Sequence, residues 1–138
     1  MKLRYVEKDW MHGEYHCLIV FYASGHRCGY VGVPKSHRMH GEHCDNIYTS
    51  VHGGLTYSQP AKHGHEKDGY WYIGFDCNHY GDGKDYGAAR RYFADSENAL
   101  KRLEEQEVIS GKEYPAKTQE FVEDEIGVLL KQLEGGME

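Results

Sequence analysis

The stretch YHCLIVFYA, residues 15–23, is apolar on both faces of an extended chain. The two alternating sets are Cys17, Ile19 and Phe21 on one side and Leu18, Val20 and Tyr22 on the other. A strand covered by protein above and below has this pattern, whereas a strand with one solvent face alternates apolar with polar residues. The stretch therefore predicts the central strand of a sheet, and Ser24-Gly25 predicts the turn after it.

Two further segments also have strand character. His26–Val33 is followed by Pro34, which stops a strand because proline cannot donate a backbone hydrogen bond. Tyr70–Cys77 alternates, which predicts two faces. The expected core face carries Trp71, Ile73, Phe75 and Cys77, and the other face carries Tyr72, Gly74 and Asp76.

Gly53-Gly54 predicts a tight hairpin turn, because glycine readily adopts the positive φ angles of such turns. Its expected strands are Asn46–His52 and Leu55–Ser58. In that register one face would carry Tyr48, Ser50, His52, Leu55 and Tyr57.

The C-terminal third has helical spacing. We expect helices over about 96–108 and 118–134, the second capped by Thr118, whereas residues 81–91 have the composition of a loop. The second helix has an apolar stripe suited to packing on the sheet or on a second copy, made of Val122, Ile126, Leu129 and Leu133 with Phe121 and Leu130 beside it.

Strands first and helices last favour an α+β fold. The prediction is a mainly antiparallel sheet of about four to five strands within residues 15–77, with the two helices packed on it. With 138 residues, we expect a single domain over 1–138.

Composition disfavours several classes of protein. Sixteen Lys and Arg against 22 Asp and Glu, with no basic run among aromatics, disfavour a nucleic-acid binder. No apolar run approaches the length of a membrane span, and residues 1–12 are too charged for a secretory signal, so we expect a cytoplasmic protein. Four cysteines without a C-x-x-C pair are typical of reduced thiols buried in strands.

Eight of the ten histidines lie between His26 and His79. His52 precedes the double glycine, and Asp76, His79 and Asp82 follow the Trp-rich strand. Imidazole and carboxylate groups that converge from two strand ends suit zinc or manganese. The competing interpretation is that Asp76 caps its turn by accepting backbone N–H bonds while His79 only packs.

Two other features could carry chemistry. His37, His40, His43 and Cys44 form a second cluster, for which solvated loop histidines are the competing interpretation. Cys77 lies beside Asp76 but is expected to face the core, which disfavours a thiol nucleophile.

Tyrosine is abundant, with twelve residues. Rings with polar tips can stack on a planar base and hydrogen-bond to a sugar, although tyrosine is also a good strand former. The tyrosines expected to line one open face are Tyr30, Tyr48, Tyr57, Tyr72 and Tyr80.

Three motifs resemble those of a family of small proteins encoded by phages and prophages. They are GYVGVP at 29–34 followed by His37, VHGGLTY at 51–57, and WYIGFDCNH at 71–79 with Gly81-Asp82. The resemblance covers about residues 28–82 and implies a shared site and a phage setting, hence the host bacterial cytoplasm, without naming a reaction. Small phage proteins with pockets include ones that sequester nucleotide signals of bacterial immunity, which makes such a signal the expected ligand by analogy.

Three functions remain open, so the sequence leaves undecided whether the protein is an enzyme. The first is a pocket for a small, nucleotide-type ligand, without a required metal. Its expected walls and polar contacts are Tyr30, Tyr48, Tyr57 and Tyr72 with His52, Thr56, Asp76 and His79. The second is a hydrolase whose zinc or manganese is held by His52, Asp76, His79 and Asp82. The third is an inhibitor that binds a host protein through its surface, and the last helix would also serve a homodimer.

Overall fold

The computed structural model describes residues 4–79, 82–110 and 115–135, leaving aside the side chains at 99, 103 and 106–110. The predicted role of Tyr80 in the open face lies outside the described residues. No described helix is long and apolar enough to cross a membrane.

Five antiparallel strands form one sheet in the order β1-β2-β3-β5-β4. The strands are β1 Arg4–His12, β2 Tyr15–Tyr22, β3 Arg27–Val33, β4 Tyr57–Pro60 and β5 Trp71–Asp76. The helices are α1 Tyr86–Tyr92, α2 Glu97–Ser110 and α3 Gln119–Glu134, with a short 3-10 turn at Cys44–Asn46. The predicted α+β class is confirmed.

Strand β2 is buried along its length except at Tyr22, as its two apolar faces predict. Helix α3 covers one face of the sheet, where its apolar stripe packs on Ile19, Val31 and Phe75. The opposite face carries Leu18 and Val20 under a layer of tyrosine rings. Both faces of the sheet are therefore closed, one by a helix and the other by aromatic side chains.

Helix α3 begins where predicted, because the Thr118 hydroxyl accepts a hydrogen bond from the Phe121 N–H. Its stripe is buried against the sheet of its own chain. A homodimer through this helix would have to use its other side, and it stays a prediction.

Two elements were not predicted. Strand β1 was missed because RYVEKDWMH interleaves charged with apolar residues, and the charge of Glu7 has a buried partner, Arg27, 20 positions away. Helix α1 was missed because it is only seven residues long and includes Gly87, although Asp85 caps it by accepting the Ala88 N–H.

The predicted hairpin around Gly53-Gly54 is wrong. Residues 47–56 form no strand, and β4 starts at Tyr57 as an edge strand beside β5. Both glycines do have positive φ, but the turn runs from Val51 to Gly54, closed by the Gly54 N–H on the Val51 carbonyl. His52 and Gly53 are thus the central residues of the turn, and the expected common face of Tyr48, Ser50, His52, Leu55 and Tyr57 does not exist.

Candidate functional site

The turn at residues 51–54 meets the segment that leaves β5. His52 lies with its Nε2 at 3.0 Å from both carboxylate oxygens of Asp82. The rings of His52 and His79 meet edge to face at an angle of 75°, with centroids 5.5 Å apart. The structure therefore brings together three of the groups that the sequence pointed to.

Asp82 is the centre of this group. Its side chain is only 3% exposed and also accepts a hydrogen bond from the backbone N–H of His79, while Lys117 Nζ lies 3.9 Å away. Burial opposes ionisation of Asp82, but the bonds from His52 and from the His79 N–H outweigh it and lower the pKa of the carboxyl. Asp82 is thus an ionised carboxylate that is almost completely shielded from solvent.

His79 stands between two carboxylates. Its Nε2 lies 3.6 Å from Asp76 Oδ1, and its Nδ1 lies 3.4 Å from Asp82 Oδ2. That Nδ1 is buried and has no hydrogen-bond partner among the described residues. The ring packs on Gly53, where a Cβ would overlap the ring at its Cε1. Only glycine fits at position 53 while His79 keeps this place.

Asp76 contacts both the segment that follows β5 and the ring of His79. Its carboxylate accepts hydrogen bonds from the Thr56 hydroxyl and from the Asn78 N–H, each at 3.0 Å. The capping bond is the one expected from the competing interpretation, but His79 does more than pack, since it also faces Asp82.

A cavity of about 420 Å³ opens on the tyrosine side of the sheet, next to His79. Tyr30 and Tyr57 meet edge to face at 5.1 Å, and the ring of Tyr22 stacks on His26 at 5.4 Å. The hydroxyl of Tyr57 is buried without a hydrogen-bond partner among the described residues. The lining residues are Tyr22, His26, Cys28, Tyr30, Thr56, Tyr57, Phe75, Asp76, Asn78 and His79.

His26 brings a neutral imidazole to this cavity. Burial, helped by repulsion from Lys84, lowers the pKa of His26 to about 4. At neutral pH the ring therefore adds no charge, and because its Nδ1 is bonded to the Ser24 hydroxyl at 2.6 Å, it has Nε2 left for a ligand.

Three predicted cavity residues lie outside the lining of the cavity. His52 is one of them, because its ring lies against Asp82 instead. Tyr48 is 95% exposed, because the chain around it is not a strand and has no register with Tyr57. Tyr72 is on the expected face but is wholly buried, since Tyr70 and Ala61 pack over that end of the sheet. The expectation that Tyr48 and Tyr72 wall the cavity is wrong.

Sequence reasoning missed five lining residues, which are Tyr22, His26, Cys28, Phe75 and Asn78. Antiparallel pairing of β3 with β5 puts Cys28 opposite Asp76, so the register of these two strands was the signal that could have found Cys28. Asn78 was passed over within its own motif. Its side chain accepts a hydrogen bond from Lys84 Nζ.

The second histidine cluster is only partly assembled. His43, Cys44 and Asp45 are close enough to share an ion, but His40 bonds the Gly69 carbonyl and His37 faces the Leu133 carbonyl. Cys77 faces the core as expected, and burial raises the pKa of its thiol to about 12. A thiolate nucleophile is therefore disfavoured there.

A hydrogen-bonded chain, also missed, runs from the buried Tyr72 and His16 to the surface at the far end of the tyrosine face. The Lys67 N–H donates to the Tyr72 hydroxyl, which lies 2.6 Å from His16 Nδ1. His16 Nε2 lies 2.7 Å from Asp9, and Asp9 also bonds His65. This chain ties β1, β2 and β5 to the loop that follows β4.

Asp9 makes this chain sensitive to acid. Burial opposes its ionisation, but hydrogen bonds from His16 and His65 outweigh it and lower the pKa of Asp9 below its ordinary value. A carboxyl with a lowered pKa adds stability above its unfolded pKa, and the gain is lost as the pH falls through the folded value. We expect Asp9→Asn to lower the free energy of unfolding above about pH 5, with the difference from wild type shrinking as the pH falls through the lowered folded pKa of Asp9. Urea unfolding across this range checks it, and a difference independent of pH would contradict it.

Comparison of the chain with protein-family models, with curated proteins and with solved structures gives no match. The resemblance carried by the three motifs therefore stays a prediction, and function has to be inferred from the geometry of the site.

Proposed function

We propose that this protein binds a small planar ligand of nucleotide type in the cavity beside His79. The volume of about 420 Å³ lies within the range of small-molecule sites. Tyr22, Tyr30 and Tyr57 line the cavity, and aromatic rings of this kind can stack on a heterocycle.

The buried hydroxyl of Tyr57 carries the proposal. A buried polar group without a partner lowers the stability of the folded protein by about 1–3 kcal/mol, and such groups are rare in native structures. The hydroxyl is closed to solvent, so a ligand must enter between the rings to reach it, and a hydrogen bond made there would recover that loss of stability. The hydroxyl is therefore the contact that we expect a bound ligand to complete.

The polar rim supports a ligand with N–H groups. Thr56, Asp76 and His79 line one side of the cavity, and the carboxylate of Asp76 can accept hydrogen bonds from the edge of a base. In the biological setting suggested by the motif resemblance, the protein would sequester a nucleotide signal of host defence in the bacterial cytoplasm. Sequestration needs tight binding and no chemical step.

A thermal-shift screen with cyclic and ADP-ribose-type nucleotides tests the proposal. A ligand that binds only the folded protein stabilises it by about 2.7 kcal/mol at a concentration of 100 Kd, so the melting temperature must rise. If none of these nucleotides raises it, the proposal fails in favour of a protein that acts through its surface.

Tyr57→Phe separates a role in binding from a role in folding. Removing an unsatisfied hydroxyl should leave the unfolding free energy unchanged or raise it, whereas loss of a hydrogen bond to the ligand should weaken binding about 3- to 10-fold. Isothermal titration with the nucleotide found in the screen measures the affinity. Tyr48→Phe is the matched control, because Tyr48 is exposed and does not line the cavity, and it should bind like wild type. Wild-type affinity in Tyr57→Phe would contradict the assigned role.

A further inference from the structure

His52, His79 and Asp82 form a group apart from the tyrosine walls of the cavity. Each offers one ligand atom, and these atoms lie within 4.8 Å of one another. Of the three, only His79 also lines the cavity. The chemistry of the group can therefore be considered independently of any nucleotide.

One polar atom of this group, His79 Nδ1, lacks a hydrogen-bond partner among the described residues. Nδ1 of His79 lies 3.4 Å from Asp82 Oδ2, yet forms no hydrogen bond there, although the atom is buried. A lone pair on this nitrogen would face an anion, and the two repel unless a proton or a cation lies between them. Lys117 Nζ, at 3.9 Å from Asp82, gives only a distant countercharge.

Asp76 and Asp82 face different nitrogens of the His79 ring. The Asp76 carboxylate lies 3.6 Å from Nε2 and Asp82 Oδ2 lies 3.4 Å from Nδ1, so with a cation beside Asp82 the ring proton would lie on Nε2, toward Asp76, and the Nδ1 lone pair would face the cation. A carboxylate that orients a histidine in this way is the usual outer partner of a metal ligand. Both Asp76 oxygens already accept hydrogen bonds, from Thr56 and from the Asn78 N–H, so Asp76 suits this role better than direct coordination.

We propose that Nε2 of His52, Nδ1 of His79 and the Asp82 carboxylate bind one divalent ion of the zinc class, with Asp76 as a positioning residue. Two ligands of a tetrahedral zinc ion lie about 3.3 Å apart. The contacts of Asp82 with His52 at 3.0 Å and with His79 at 3.4 Å are already close to this spacing. To bind the ion, mainly the imidazole rings of His52 and His79 would have to move closer together.

The ligand set determines the class of ion. Two imidazoles with one carboxylate favour zinc over manganese, which prefers oxygen ligands, and over magnesium. Three protein ligands also leave a position for water, as in catalytic zinc sites. This assigns Asp82, not Asp76, as the carboxylate ligand of the site and does not depend on the proposed nucleotide pocket.

Zinc titration of the chelator-treated protein tests the site, with metal analysis after dialysis. Wild type should retain one equivalent of zinc. We expect His52→Ala and Asp82→Asn each to weaken zinc binding at least 100-fold, and Asp76→Asn to weaken it about 10- to 100-fold as an outer partner does. Tetrahedral cobalt(II) bound in place of zinc should give visible absorption bands in wild type, and Asp76→Asn should shift them.

Matched controls keep the result interpretable. His63→Ala removes an exposed histidine, and Cys44→Ser disrupts the other candidate cluster, so both should bind zinc like wild type. Thermal melting without metal checks that each variant folds, and His52→Gln replaces His52→Ala if the latter does not. Failure of wild type to retain zinc, or retention that is lost in Cys44→Ser but kept in Asp82→Asn, would overturn the proposal. Because zinc is titrated without nucleotide, and the nucleotide screen can be run with a chelator, either proposal can fail alone.

Discussion

Replacing Arg27 by Met is expected to lower the free energy of unfolding by about 3–5 kcal/mol. The guanidinium, 5% exposed, forms two hydrogen bonds with the carboxylate of Glu7, which is 1% exposed, and also bonds Asp85 and the Lys117 carbonyl. Removing it leaves the buried charge of Glu7 with only the Tyr92 hydroxyl as a side-chain partner among the described residues. Urea unfolding monitored by circular dichroism measures the loss.

The double variant Glu7→Gln with Arg27→Met is the control. It removes the stranded charge together with its partner, so it should be more stable than Arg27→Met alone. If the single variant loses less than about 1 kcal/mol, or if the double variant is the less stable of the two, the assignment of a buried ion pair is contradicted.

Gly53→Ala is expected to lower the free energy of unfolding by about 2–4 kcal/mol, as the sum of backbone strain and overpacking. Gly53 has φ of 68°, which disfavours any other residue, and its missing Cβ makes room for the His79 ring. The added methyl group must push that ring away from Asp82, so zinc affinity should fall as well. Unfolding by urea and zinc titration give the two readouts.

Gly54→Ala separates the two causes. Gly54 has φ of 78°, similar to that of Gly53, but a Cβ added there would meet nothing within 4 Å among the described residues. Its replacement should cost only the backbone strain of about 1–2 kcal/mol and leave zinc binding intact. Equal losses of stability and zinc affinity in the two variants would contradict the contact between Gly53 and His79.

The central elements of the fold could be predicted because their signals are local. Strand β2 is apolar on both faces, and Thr118 caps α3 through its own side chain. Strand β1 could not be predicted in the same way. Its Glu7 is buried because Arg27 neutralises it, and a pairing between residues 20 positions apart leaves no local pattern.

The candidate site was predicted in part. The convergence of His52 with His79 and Asp82 was expected because each group was placed at the end of a predicted strand. The turn that carries His52 is held in a different way from the one predicted. It is not part of a hairpin, and the backbone N–H of His52 donates a hydrogen bond to the carboxylate of Glu125 on α3. Alternation placed Tyr72 on the correct face but carried no information about the residues that cover that face, so its burial could not be foreseen.

A crystal structure of the protein grown with zinc would show whether the turn at 51–54 and the exit of β5 build one site. Anomalous data at the zinc edge locate the ion independently of the protein coordinates. We expect one strong peak at about 2.0–2.2 Å from His52 Nε2, His79 Nδ1 and an Asp82 oxygen. An empty cluster with the two imidazoles apart, or a peak only at His43, Cys44 and Asp45, would show that the two segments do not form a common site.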